Sequence, residues 1–335
     1  MNTARLTRRR FIGITAAVAA VAATPFAARA VGSWHASAPK PTIWRGIALG
    51  ADAELRIYHP DKSFAASLIQ KAVAEVARLE KIFSLYREDS ILTRLNRTGR
   101  LNNPPADLLA VLSRSREIHA LTQGAFDPSI QPLWAAYARH FAQQPDRRSA
   151  PDAAVLQRAL SLVDFGSVHF DNKNIHFAKP GMALSFNGIA QGYITDRITD
   201  MLREAGLERA LVDMGEIRGL DTHRRDVWQA GIRHPDYAGA LLLKVPLQNQ
   251  ALATSGGYGT MLDEAGRFTH LFDPKSGSSS PRYRSVSVMA DNAAAADALS
   301  TAFAVSSAAD IRAAVAQTAA VKAWLVMTDG QIETI

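Results

Sequence analysis

The sequence predicts an α+β fold, one unit with two lobes built from mixed or antiparallel sheets and packed helices. Two observations lead there. Strand-like runs do not alternate regularly with crossover helices, which disfavours a doubly wound parallel sheet. Two long segments carry helical apolar spacing, one following the first strand and one, rich in alanine, near the end. No internal repeat appears, and the only biased tracts are the N-terminal segment and the serine cluster at 276–280.

Residues 1–30 read as an export signal. TRRRFIG supplies a charged start, the uncharged run 14–23 a short apolar core, and Ala28-Arg29-Ala30 a small-x-small cleavage site. The paired arginines before Phe11 fit the twin-arginine pathway. The run is shorter than the roughly 20 residues a bilayer span needs, and no cysteine follows it to carry a lipid. The expectation is export by the twin-arginine machinery, cleavage near Ala30 and a periplasmic location. The chain carries +7, but this segment holds five arginines and no acid, which leaves +2 for the remainder. Nucleic-acid binding is therefore not expected. With no cysteine there are no disulfides and no thiolate metal sites.

Residues 31–45 are small, proline-containing and aperiodic, a linker ahead of one domain at 46–335. Residues 55–58 alternate as a strand. From Ser63, Leu68, Ile69, Ala72, Val76, Leu79 and Ile82 recur at helical spacing. A second helix runs over 107–122 and stops at Gly124. The polar, proline-bounded stretch 143–151 is a loop between subdomains or an insertion. After Gly192 the positions Ile194, Ile198, Met201, Leu202 and Ala205 form one stripe, and Gly206 closes that helix. Strands are expected at 210–213, 240–247, 285–290 and, closing the fold, 321–328, with a helix over 293–305.

Several segments can carry chemistry. SFNGIAQGYITD places Asn187–Gly192 at a helix entrance, where free N–H groups and the helix dipole favour an anion. Two glycines four apart are also ordinary turn punctuation, and alone that reading is the better supported. Asp297 and Thr301, at i and i+4, share a helix face and could offer oxygen ligands to a hard cation. Equally, Asp297 could face solvent or cap, with Thr301 bonding back to its helix. THLFDPKSG is a strand running into an Asp-Pro turn, with His270 and Asp273 either a catalytic pair or turn chemistry. GAFDPSIQPLW repeats the Asp-Pro device after a helix. Tyr86, beside Arg87, could stack on a base.

Taken in order, FSLYREDSILTRLN, GAFDPSIQPLW, NGIAQGYITD with LVDMGEIR, ATSGGY with THLFDPKSG, and ADALSTAF resemble the ApbE-like FAD:protein FMN transferases over residues 47–305. The resemblance implies a two-lobed, T-fold-related domain that moves FMN from FAD onto a Thr or Ser hydroxyl of an exported or membrane flavoprotein and releases AMP. It implies Mg²⁺ held by Asp297, Thr301 and the Ala190 carbonyl. FAD, as substrate, would contact Tyr86, Asp127, Asn187, Gly188, Ile189, Gln191, Gly192 and His270. His270 or Asp273 would be the base, and the acceptor would carry a D-x-x-S/T-A/G/S-T segment. Against the family turn D-x-G-G-I-A-K-G, Ser185 replaces the Asp, Asn187 a Gly and Gln191 the Lys, while G-G-E/N is reduced to Gly215-Glu216. These departures are similar to the exported NosX-like subgroup of nitrous-oxide respiration. Two alternatives stay open, an FAD-binding carrier and a pyrophosphatase that splits FAD into FMN and AMP.

Overall fold

The computed structural model describes residues 40–143, 146–224, 226–237, 239–279 and 282–335. The export signal, its cleavage site and residues 31–39 of the linker lie outside the described residues.

The chain enters through a hairpin, β1 (Thr42–Ala48) and β2 (Ala51–Ile57), closed by Leu49 and Gly50. Both turn residues have positive φ (48° and 85°), the twist a two-residue hairpin requires. Residues 42–45, expected in the linker, are thus the first half of β1. They pair with β2 and alternate between more and less exposed positions. Helix α1 (Lys62–Phe83) starts where the Asp61 side chain accepts the N–H groups of Ser63 and Phe64, and buries Leu68, Ala72, Val76, Leu79 and Ile82 as their spacing dictates. Next come α2 (Ile91–Thr98), β3 (Arg100–Asn102), α3 (Ala106–Leu121), α4 (Gln131–Gln143) and α5 (Ala153–Leu160). Strands β4 (Val168–Phe170) and β5 (Asn174–Phe177) join β3 in a small antiparallel sheet.

Helix α6 (Ala190–Glu204) ends where predicted. Gly206, at φ 82°, donates to the Arg203 carbonyl and Leu207 to the Leu202 carbonyl, a left-handed stop. The remaining elements are β6 (Arg209–Asp213), β7 (Ile217–Asp221), β8 (Trp228–Arg233), β9 (Leu241–Leu247), β10 (Ala251–Ser255), β11 (Ser285–Ala290), α7 (Ala293–Phe303), α8 (Ala308–Val315), β12 (Lys322–Val326) and β13 (Ile332–Thr334). The main sheet has the order β1-β2-β6-β7-β10-β11-β12-β13. Every pairing in it is antiparallel. The expected closing strand, β12, is followed by one more.

Strand alternation sorts the core. Ala210 and Val212 of β6 point to the helical layer of α1, α3, α6 and α7. Leu211 points to the opposite face, where the β8–β9 hairpin packs Trp228, Ile232, Val245 and Leu247. The alanines of α7 let it lie close to the sheet, with Ala293 and Ala296 against Ala251, Ala253 and Ala290. The second lobe has its own small core, Leu133, Tyr137 and Phe141 of α4 with Ala159 and Phe272. Residues 269–272, expected to be a strand, make only an isolated bridge from Met261 to Thr269. Tyr137 ties α4 to the turn at 273–277 by donating its hydroxyl to the Gly277 carbonyl at 3.0 Å.

Candidate active site

The start of α6 lies against α7, and glycine makes the approach possible. A Cβ on Gly192 would stand 2.2 Å from the Ala293 carbonyl oxygen, and one on Gly188 2.6 Å from Thr301 Oγ1. What Gly192 admits is therefore a neighbouring helix. Its N–H is also taken, donating to Asp297 Oδ2 at 3.1 Å. The Ile189 and Ala190 N–H groups both donate to the Phe186 carbonyl, at 3.0 and 2.7 Å. Ile189 is wholly buried, so its side chain belongs to the core. The N–H groups of Gly188 and Gln191 have no protein partner among the described residues, and these two remain for an anion.

Asp297 is 4 % exposed, and among the described residues its carboxylate accepts one hydrogen bond, from Gly192. Burial pushes its carboxyl up to about 7; the Gly192 N–H opposes the rise and the nearby Asp196 carboxylate adds to it. Among the described residues Thr301 Oγ1 has only a 3.5 Å contact with Ser255 Oγ, which itself bonds Ser300 Oγ at 2.8 Å. Glu216, in the turn between β6 and β7, is held well above the carboxylate range by burial and then by Asp297 and Asp213. Asp213 is pushed up to about 6, again chiefly by burial. The Gln191 side chain lies over Gly215, whose φ of 106° suits glycine, so the position where the resemblance implies a lysine carries an uncharged amide.

Among the described residues no three His, Cys, Asp or Glu side chains group as a metal cluster. The residues present nevertheless fit a hard cation shared with a ligand. Asp297 keeps carboxylate lone pairs, Thr301 an under-bonded hydroxyl and the Ala190 carbonyl a second lone pair, an oxygen set that phosphate would complete. Asp297 itself is held by its helix, and α7 by Asp196. That carboxylate accepts the N–H groups of Ala293 and Ala294 (2.8 and 2.9 Å) and pairs with Arg218 at 2.6 Å.

Asp297 and Thr301 face a cleft of about 280 Å³, whereas Ala190 is buried and not among the residues lining it. Tyr86, Asn187, Gly188, Gln191, Glu216, Ser255, Tyr258, His270, Asp297 and Thr301 line it, with Phe126, Trp134 and Leu271 as apolar wall. Tyr86 is half-exposed at the rim and bonded to the Asn187 side chain. Arg87 is committed to Asp89 at 2.8 Å. Burial pushes the His270 imidazole down. Its Nδ1 lies 3.2 Å from the Thr260 carbonyl, which can only accept, so Nδ1 carries the proton and Nε2 is left as the basic nitrogen.

The two Asp-Pro aspartates differ from Asp297. Asp127 reaches the cleft wall, but one oxygen accepts the N–H and O–H of Ser129 (2.7 and 2.5 Å) and the other the Phe165 N–H at 3.3 Å. Asp273 lies outside the cleft and closes its own turn, accepting from Lys275 N–H (2.9 Å) and Ser276 O–H (2.7 Å). Of the two residues named as candidate bases, His270 lines the cleft and Asp273 does not. Sequence reasoning missed Glu216 as a cleft carboxyl with Asp213 behind it, Asp196 as the clamp on α7, and Ser255 and Tyr258. Their motifs, LVDMGEIR, GYITD and ATSGGY, were visible, but each role depends on contacts from distant segments.

Fold and site together define a class: antiparallel α+β proteins in which a buried carboxylate and hydroxyl on one helix meet the N-terminal turn of another, a setting for a phosphate-bearing ligand. The ApbE family profile matches residues 49–325, and the chain belongs to the ApbE family. Similar proteins include the FAD:protein FMN transferase of Treponema pallidum, 29 % identical over 285 residues and covering 76 % of each chain. That of Klebsiella pneumoniae is 28 % identical over 243 residues, covering 70 % of this chain and 72 % of its own. Among solved structures, the apo flavinyl transferase ApbE of Pseudomonas stutzeri superposes with TM-score 0.75 at 25 % identity, covering 90 % of this chain and 96 % of its own. The ApbE protein of Thermotoga maritima gives TM-score 0.76 at 24 % identity, covering 88 % and 96 %, which speaks to the fold.

Proposed function

We propose that this protein is an FAD:protein FMN transferase, exported by the twin-arginine pathway and acting in the periplasm. The observation that carries the reading is the juxtaposition of Asp297 and Thr301 with the entrance of α6. Burial and hydrogen bonding leave these groups unsatisfied, together with the amides of Gly188 and Gln191. That is a receptor for a pyrophosphate. The transferase names of the relatives point the same way.

The reaction needs an acceptor hydroxyl to attack the FMN-side phosphorus of FAD while the bond from that phosphorus to the bridging oxygen breaks and AMP leaves. His270 takes the hydroxyl proton on Nε2, the nitrogen its bond to Thr260 leaves free. The Gly188 and Gln191 amides orient the phosphates, and Tyr86 and the apolar wall hold the flavin or adenine ring. Asp297, Thr301 and the Ala190 carbonyl would hold Mg²⁺, which would supply charge neutralisation for the phosphates. This need is acute here, because Gln191 brings no positive charge to the cleft. A flavoprotein of nitrous-oxide respiration with a D-x-x-S/T-A/G/S-T segment is the proposed acceptor. The test is Asp297→Ala assayed with FAD, Mg²⁺ and such an acceptor. Transfer at the unaltered rate would remove Asp297 from the site.

A further inference from the structure

A second concavity opens beside the cleft, and FMN transfer itself makes no use of it. It encloses about 840 Å³ between α2, α4 and α5, and is lined by Arg97, Arg139, Arg147, Arg158 and His140. Asp152 is the one acid among its described lining residues. Arg97, Arg139 and Arg158 come from three different helices and are exposed; among the described residues none pairs with a carboxylate, and Arg139 donates only to the Ala135 carbonyl of its own helix, at 3.1 Å. Guanidinium groups lining one groove with no carboxylate partner repel one another less when an anion lies between them. Leu85, Pro132, Val155 and Leu162 add apolar floor.

The groove is joined to the cleft through α4. Gln131 lines both; Trp134 and Ala138 continue on the cleft side, Ala135 and Arg139 on the groove side. A chain lying in the groove therefore runs to the mouth of the cleft. The groove has three times the volume of the cleft, and its charges are spread over three helices. Both features suit an extended polypeptide better than a single compact anion.

We propose that this basic groove docks an acidic stretch of the acceptor polypeptide, so that the acceptor's hydroxyl-bearing segment passes Gln131 into the cleft. The proposal rests on the FMN-transfer reading and adds to it the surface that selects the protein substrate. Charge complementarity would govern encounter and affinity for the acceptor, and leave FAD binding untouched.

Two fluorescein-labelled peptides test it on the full-length protein. Both carry the D-x-x-S/T-A/G/S-T segment, one preceded by four glutamates and the other by four glutamines. In fluorescence anisotropy at low salt the glutamate peptide is expected to bind about tenfold tighter, a preference that shrinks at high salt, where the Debye length drops to about 3 Å. The combined Arg97→Glu, Arg139→Glu, Arg158→Glu variant should erase the preference and keep FAD binding and thermal stability. If it does not fold, the corresponding triple Gln variant should weaken the preference at least threefold. Equal binding of both peptides to the unaltered protein overturns the proposal, as does a preference that survives in the folded variant. So does binding to phosphatidylglycerol vesicles without any peptide preference, which would make the groove a membrane-facing surface. Loss of FMN transfer in the unaltered protein with the peptide preference intact would strike the transfer reading and leave the docking surface standing.

Discussion

Asp297 and Asp273 are both aspartates in short recognisable motifs, yet the fold treats them oppositely. Asp273 sits on a turn where nearby N–H and O–H groups satisfy both its oxygens. Asp297 is buried on an alanine-rich helix with one donor, and its carboxyl is pushed up to about 7 by that burial. A carboxylate saturated by its own turn has been spent on structure. One buried with lone pairs to spare is poised for a cation or a proton. Asp127 falls with Asp273 despite touching the cleft, because Ser129 and Phe165 already occupy it.

The largest expected effect separates the two directly. Asp297→Ala should lower FMN transfer by about a thousandfold or more, the scale of losing a metal-held charge-stabilising site. Asp273→Ala should change kcat by less than about threefold. Steady-state flavinylation rates on both variants check this, and equal losses would collapse the distinction.

The setting of Asp297 can be broken without touching its carboxylate. Gly192→Ala drives a methyl into the Ala293 carbonyl, 2.2 Å from where it would sit. The expected cost is roughly 3 kcal/mol in urea unfolding, because backbone on both helices must move.

A smaller effect sharpens the comparison through pH. The Asp297 carboxyl titrates higher in the folded protein than in the unfolded chain, so the native state holds its proton more tightly. Its unfavourable contribution is absent below about pH 4, grows as pH rises, and is complete above about 7. In the metal-free protein, Asp297→Asn should therefore be more stable than the parent at pH 8, by on the order of 2 kcal/mol. The gain should vanish as pH falls toward about 4. A gain independent of pH would mean the carboxyl is not strained by burial. Asp273→Asn is the smallest expected change, about 1 kcal/mol in urea-unfolding stability from weakened turn bonds.

Much of this was legible in the chain, and the reason is local. Helix α1, the Gly206 stop and the i, i+4 pair of Asp297 and Thr301 follow from periodicity and glycine geometry within a few residues. The strands β3, β4 and β5 were not legible. Each spans three or four residues, too short for alternation to register, and each exists only because its partner is there. The same limit hid the site's electrostatics. Glu216 reads as a turn residue until Asp213 and Asp297 surround it. The arginines at 97, 139 and 158 are unremarked surface charge until three helices bring them to one groove. Gly192 shows the opposite error: a glycine legible as important, assigned to a ligand when the tight neighbour is the Ala293 carbonyl.

The most direct test is intact mass spectrometry of an acceptor protein carrying the D-x-x-S/T-A/G/S-T segment after incubation with this protein, FAD and Mg²⁺. The expected result is an acceptor heavier by one FMN less one water, with AMP released in equal amount. The gain should be absent with Asp297→Ala and when the acceptor hydroxyl is replaced by Ala. Release of FMN and AMP with no change in acceptor mass, or FAD held intact with no AMP, would contradict the assignment.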